Sequence, residues 1–345
     1  MINFQCDYVE GAHPQILKAL NDTNFVQQPG YGNDEYCARA IQKIKKACNR
    51  EDIDVHFLVG GTQTNLTVIS SILRPHQGVI SADEGHINCH ETGAIEATGH
   101  RVIALPSGDG TITAGQVKEV LENHYNSDIK EHLVQPGMVY ISFPTESGTL
   151  YSKKQLTDLS QVCREYGVPL FLDGARLGYG LTSPGNDLTL EEIARLCDVF
   201  YIGGTKCGAL LGEAVVISAE NIQKDFRYFM KQRGGLLAKG RLPGIQFDVL
   251  LEDNLYFDIC KNAVQQALEI RKAFEKKGIA MQGNSFTNQQ FPILNDDQLN
   301  CLKQNFLYEV WGKADNGHTI VRFCTSWATK KENVDLLIKT IEENL

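Results

Sequence analysis

Pro169-Leu170-Phe171-Leu172-Asp173-Gly174-Ala175-Arg176 and Val199-Phe200-Tyr201-Ile202-Gly203-Gly204-Thr205-Lys206-Cys207-Gly208 share one design: an uncharged apolar run that opens into a glycine-bearing turn carrying ionisable side chains. Short apolar runs bounded by glycine are the mark of strands buried on both faces. In an open α/β sheet the residues just past such strands lie at the carboxyl edge, where ligands bind. An aspartate at the end of a buried strand is costly to desolvate unless a cation answers it. A protonated pyridine nitrogen would answer Asp173, and so would an ion pair with Arg176 or a helix start that it caps. Lys206 has small neighbours that leave room around its amine, and lysine is the side chain that forms Schiff bases with carbonyl cofactors.

Outward from these stretches, apolar runs at 55–59, 79–81, 102–105, 138–143 and 214–217 alternate with segments of helical period such as 114–124 and 153–166. That alternation predicts a parallel sheet covered by helices. After the Gly234-Gly235 and Pro243-Gly244 clusters the alternation stops, and a single long helix is expected over 247–277. A second domain therefore starts near residue 246, giving a large domain at 1–245 and a small one at 246–345. The small domain is expected to end with two or three strands, 319–324 being the clearest, and a helix over 331–344.

Gly60-Gly61-Thr62-Gln63-Thr64-Asn65 follows the first of these strands and opens a helix. Glycines there let the backbone approach an anion, and the free N–H groups point at it, which suits a phosphate. A plain strand-to-helix turn with Thr62 as N-cap accounts for the same residues. His86, after the strand at 79–81, reaches the same edge, where an imidazole can stack on a flat cofactor or simply cap a helix. Gly203–Gly208 is no Walker A loop, since Cys207 stands where that motif needs Ser or Thr, and no G-x-G-x-x-G follows Val59. A mononucleotide-binding protein with Lys206 as a counter-ion would leave the order of loop, aspartate and lysine unexplained.

Read together, these residues resemble the threonine aldolase branch of the β-eliminating lyases, enzymes of the aspartate aminotransferase fold (fold type I) that depend on pyridoxal 5′-phosphate (PLP). The likeness runs from Asn3 to the final helix. It implies an α/β large domain with a mainly parallel seven-stranded sheet and a small C-terminal α+β domain. It implies cofactor contacts from Gly61 and Thr62 in the phosphate motif, from His86 stacked on the ring, and from Asp173 at the pyridinium nitrogen. Lys206 falls on the Schiff-base lysine. Arg176 and Arg322 match substrate-carboxylate residues, and Arg241 resembles one that reaches the phosphate of a neighbouring subunit, so a homo-oligomer with shared sites is implied.

Three positions depart from the family pattern. Cys6 stands where a serine usually touches the substrate carboxylate, and Glu146 stands where a histidine usually recognises the β-hydroxyl. Trp327, in Ser326-Trp327-Ala328, is placed to line or narrow the entrance. The implied reaction is cleavage of L-threonine or L-allo-threonine to glycine and an aldehyde, with Lys206, His86, Asp173 and Glu146 as the catalytic group. β-Elimination or transamination would use the same Lys206 and Asp173 and break a different bond.

Bulk properties narrow the rest. With 345 residues, 42% hydrophobic and 22% charged, the chain can build a large core. A net charge of -9 offers no general field for nucleic acid or anionic lipid, so a small amino acid is the expected partner. Ten scattered cysteines without C-x-x-C pairs read as free thiols, no metal-ligand spacing is present, and the start of the chain lacks a signal peptide's pattern. A cytoplasmic enzyme without a metal is expected.

Overall fold

The computed structural model describes residues 1–314 and 317–345. Its main sheet has seven strands, in spatial order Asp54–Leu58, Glu213–Ile217, Val199–Gly203, Leu170–Asp173, Gln135–Ser142, Gln77–Ala82 and Arg101–Leu105. Glu213–Ile217 runs antiparallel to both of its neighbours, and the other strands run together. Leu170–Asp173 is thus the middle strand, with Asp173 at its carboxyl end.

The period-2 alternation of side chains divides the buried residues between the two faces of the sheet. Val139, Ile141, Leu170, Leu172, Phe200 and Ile202 enter one core. Their sequence neighbours Met138, Tyr140, Phe171, Val199 and Tyr201 enter the other. The first core is closed by helices that include Glu35–Ala47, Ala114–Tyr125 and Lys153–Tyr166, the second mainly by Gly61–Ile72 and Phe226–Gln232. The helices at 114–125 and 153–166 start at capping boxes made by Thr113 with Gln116 and Ser152 with Gln155, so their N-termini are written locally in the sequence.

One long helix over 247–277 does not form. Arg241–Leu250 and Leu255–Lys276 are separate helices, and between them Asp253 and Asn254 adopt φ values of 45° and 64°. Asp and Asn tolerate this left-handed conformation better than other non-glycine residues, which is why the break carries no glycine or proline signal. The second helix, at 1.5 Å rise per residue roughly 33 Å long, packs Cys260, Ala263 and Val264 into the first core and Ile270, Ala273 and Phe274 into a third. That third core gathers Phe4, Leu294, Phe306, Val321, Phe323, Val334 and Leu337 around a four-stranded sheet in which Thr319–Cys324 pairs with Glu309–Lys313 on one side and with Ile293–Leu294 and Gln289–Gln290 on the other. Phe4 carries the amino terminus into it, and Asn288 and Arg322 approach the carboxyl edge of the main sheet from this side.

Candidate active site

A cavity of about 260 Å³ opens at the carboxyl edge of the main sheet, lined by Gly60, Gly61, Thr62, His86, Glu146, Asp173, Arg176 and Lys206 among others. It continues into a second lobe of about 230 Å³ with His90, Glu309, Trp311 and Arg322, and the two share Tyr8, His86, Glu146, Arg176 and Lys206.

Asp173 forms the floor, 5% exposed. Strand register explains its partners: Tyr140 and Tyr201 stand on the two flanking strands and point to the same face. Tyr140 donates to Oδ2 at 2.6 Å and Tyr201 to Oδ1 at 2.5 Å, while Asn65 Nδ2 reaches Oδ2 at 3.0 Å and the Ala175 N–H reaches Oδ1 at 3.0 Å. Burial works against the charge, but His86 and the hydrogen bonds from Tyr140, Tyr201 and Ala175 outweigh it and hold the carboxyl below its ordinary value. A fixed carboxylate remains at the end of the middle strand. The alternative of an Asp173–Arg176 ion pair fails, because Arg176 turns to Asp7, with Nε–Oδ2 at 2.7 Å and Nη2–Oδ1 at 3.0 Å.

Lys206 stands on the turn after the adjacent strand. The turn closes on itself: Gly204 and Thr205 N–H donate to Gly212 O, and Glu213 accepts from Gly204 N at 3.1 Å and Thr205 Oγ1 at 2.8 Å. Tyr179 and Tyr256 hydroxyls fix it from below by donating to the carbonyls of Lys206 and Gly203. Burial, with the Arg176 charge, pulls the Lys206 amine below its ordinary value against the opposing pull of Asp7, Asp173 and Glu213. A larger neutral fraction makes the amine a better nucleophile. Glu213 is itself pushed up to about 8 by burial.

The helix Gly61–Ile72 is capped by Gly60 and not by Thr62, and Gly60 offers no side-chain cap. Its first N–H groups are therefore available to an anion where Gly60, Gly61 and Thr62 line the cavity. A Cβ on Gly61 would lie 3.2 Å from the Tyr201 hydroxyl, the group that braces Asp173. Across the cavity, His86 Nδ1 meets Glu91 Oε1 at 2.8 Å, and Asn65 Nδ2 also binds that oxygen at 2.8 Å, so one amide ties Glu91 to Asp173. Burial opposes a charge on His86, yet the Glu91 hydrogen bond and the Asp173 charge leave its affinity for a proton raised. Glu146 Oε1 accepts from Ser142 Oγ at 2.8 Å and from His86 N at 3.1 Å, while its Oε2 is buried with no partner among the described residues. Burial raises the Glu146 carboxyl above its ordinary value.

Arg322 is buried at the far side of the second lobe and binds Gln289 Oε1 at 3.0 Å and Gln5 O at 2.9 Å. Cys6 lines neither lobe and interacts with Tyr8, which lines both. Arg241 is likewise outside the chain's own cavity, its guanidinium bound to the carbonyls of Val26 and Asn24. Trp327 packs edge-on against His13 at 5.7 Å and lines neither lobe. All ten cysteines are free thiols, and among the described residues no helix is long and apolar enough to cross a membrane.

The first-named site residues thus meet in one place, and several of their partners carried no signal of their own. Tyr140 and Tyr201 read as strand core, and Glu213 is an isolated acid. Glu91 and Asp7 had a signal only through the family resemblance, Glu91 in the E-x-G turn with Gly93 after His86 and Asp7 in Gln5-Cys6-Asp7. A braced carboxylate facing a lysine from the next strand, with an open helix start beside them, suits a phosphorylated pyridine aldehyde, and the architecture is that of the fold type I PLP-dependent enzymes.

Residues 3–296 match the beta-eliminating lyase family. A threonine aldolase from Leishmania major is 44% identical and superposes with a TM-score of 0.96, each chain covering 99% of the other. A low-specificity L-threonine aldolase of a Pseudomonas species is 31% identical over 257 residues, 73% of this chain and 72% of that one. Another, from Pseudomonas aeruginosa, is 26% identical across 98% of this chain and 96% of its own. An aspartate aminotransferase of Thermus thermophilus, 12% identical with a TM-score of 0.73 over 100% of this chain and 92% of that one, shares the fold alone. The chain belongs to the beta-eliminating lyase family, on its threonine aldolase branch.

Proposed function

We propose that this protein binds PLP and cleaves L-threonine, L-allo-threonine and related β-hydroxy amino acids between Cα and Cβ, releasing glycine and an aldehyde. The observation that carries this reading is Asp173, ionised and held by Tyr140, Tyr201, Asn65 and the Ala175 amide on the floor of the cavity that Lys206 lines. Gly61 and Thr62, with the open start of their helix, would hold the phosphate, His86 would cover the ring, and Asp173 would pair with the ring nitrogen. When bound, the cofactor supplies the sink for the electron pair released at Cα. Lys206 provides the amine that attaches it.

The chain's own residues then divide the work. Arg322 and Arg176 hold the substrate carboxylate, with Cys6 acting at most through Tyr8, and so orient the Cα–Cβ bond. The β-hydroxyl proton passes to Glu146 Oε2, the buried oxygen without a partner among the described residues. Glu146 suits the role better than His86: burial raises its carboxyl above the ordinary value and so makes its carboxylate a stronger base, whereas His86 Nδ1 is already engaged by Glu91 at 2.8 Å. As that proton leaves, the Cα–Cβ bond breaks, the oxygen becomes the aldehyde carbonyl, and Cα takes up a proton to become glycine. Arg241, bound outside its own cavity, is assigned to a neighbouring copy's site in a homo-oligomer.

Purified protein incubated with PLP and L-threonine should yield glycine and acetaldehyde in equal amounts. Pyruvate and ammonia, or cofactor left in its amine form, would move the assignment to elimination or transamination. Inertness towards every β-hydroxy amino acid would reject aldol cleavage.

A further inference from the structure

Arg322 already has a carboxylate. The antiparallel pairing of Glu309–Lys313 with Thr319–Cys324 sets Glu309 directly opposite Arg322, and the two side chains form an ion pair inside the second lobe. The remaining contacts of the guanidinium cannot easily move. Gln5 offers a backbone carbonyl, Gln289 is fully buried, and the Trp311 ring, 5.0 Å from the guanidinium, is packed against Phe291. Arg322 Nε is buried without a partner among the described residues. Glu309 differs from all of these: its side chain is 44% exposed, and among the described residues its strand has a hydrogen-bonded neighbour on one side only.

We propose that Glu309 is a resident carboxylate that occupies Arg322 in the empty site and is displaced by the carboxylate of the incoming amino acid. The proposal rests on the reading of Arg322 as a substrate clamp. A buried guanidinium without a counter-charge is strongly unfavourable, and Glu309 supplies that charge between turnovers. Two carboxylates cannot both occupy the Nη2 end of one guanidinium, so binding is an exchange of partners, and its net strength is the difference between two similar pairs. Trp311, Gln289 and the Gln5 carbonyl keep Arg322 in place during the exchange, while the exposed Glu309 side chain swings towards solvent. Glycine, the smallest product that still bears a carboxylate, is weakened by the same competition and leaves more readily.

The test uses the PLP-loaded enzyme with glycine as probe, binding being read from the change in the cofactor's absorption spectrum. Glu309→Gln keeps the shape and removes the competing charge, and Glu309→Ala removes the side chain. In both, the glycine dissociation constant should fall about tenfold, the difference expected when a charged hydrogen-bonding rival is lost, and KM for L-threonine should fall with it. Arg322→Lys should weaken glycine binding. If Arg322→Lys weakens it while both Glu309 variants bind glycine no more tightly than the natural enzyme, the exchange is overturned and the clamp stands. If Arg322→Lys leaves glycine binding unchanged, the clamp itself is refuted, and the proposal with it.

Discussion

Replacing Asp7 tests whether the amino terminus is part of the site's foundation. Asp7 is fully buried, grips Arg176 through two hydrogen bonds of 2.7 and 3.0 Å, and accepts a third from Asn288 Nδ2 at 2.9 Å. Burial alone would raise its carboxyl, but the charges of Arg176 and Lys206 and these hydrogen bonds lower it from the ordinary 3.8 to about 2. At about 1.4 kcal/mol per pH unit, that difference corresponds to roughly 2 kcal/mol of folding stability at neutral pH. Asp7→Asn, which keeps the shape but not the charge, should therefore cost about 2–3 kcal/mol, and Asp7→Ala, which also strands the guanidinium, about 3–5 kcal/mol. The sign with pH follows from the lowered value. The contribution is complete above pH 3.8, where the unfolded chain is ionised too, and is lost as pH falls through about 2. Urea unfolding at pH 7 and at a series of lower pH values measures both the size and the trend. An Asp7→Asn protein within about 0.5 kcal/mol of the natural one, or a deficit that does not shrink on acidification, would show that the Asp7 charge does not stabilise the fold through Arg176.

Tyr201→Phe removes the 2.5 Å hydrogen bond to Asp173 and leaves Oδ1 with the Ala175 amide; PLP affinity should fall about tenfold, as for loss of one hydrogen bond to a charged group, measured by spectroscopic titration of the cofactor-free protein. Glu146→Gln should lower kcat for L-threonine by about 10²-fold or more, the usual loss on removing a general base. Exchange of the glycine Cα proton with solvent, which needs no hydroxyl, should persist by NMR, and loss of both would place Glu146 in binding instead. Glu213, pushed up to about 8 by burial, holds a proton in the folded chain that the unfolded chain has released above its ordinary 4.5. Stability should therefore fall as pH rises from 4.5 to about 8, and Glu213→Gln should gain on the natural protein across that window in thermal melts; a pH-independent difference would contradict the raised value.

Strands were the most legible part of the chain, because runs such as 169–172 and 199–202 are too short and too apolar to lie anywhere but between two layers. Asp173 and Lys206 were legible for a related reason: an ionisable group at the end of such a run demands a partner. The braces were not. Tyr140 and Tyr201 have the spacing of ordinary core residues, and only the register of three neighbouring strands shows that both hydroxyls converge on one carboxylate. Asp7 meets Arg176 across 169 positions of sequence. Asx residues 253 and 254 end a helix through left-handed φ values that a hydrophobic pattern does not encode. Glu309 carries no motif at all, and its place opposite Arg322 depends on the pairing of two strands in a different sheet.

If one amine carries the cofactor, its attachment can be read directly. Borohydride reduction of the PLP-loaded enzyme, followed by proteolysis and mass mapping, should find the pyridoxyl group on Lys206 and nowhere else, and Lys206→Ala should take up no label. A label on any other lysine, or a Lys206→Ala protein that is still labelled to the same extent, would show that Lys206 does not carry the cofactor.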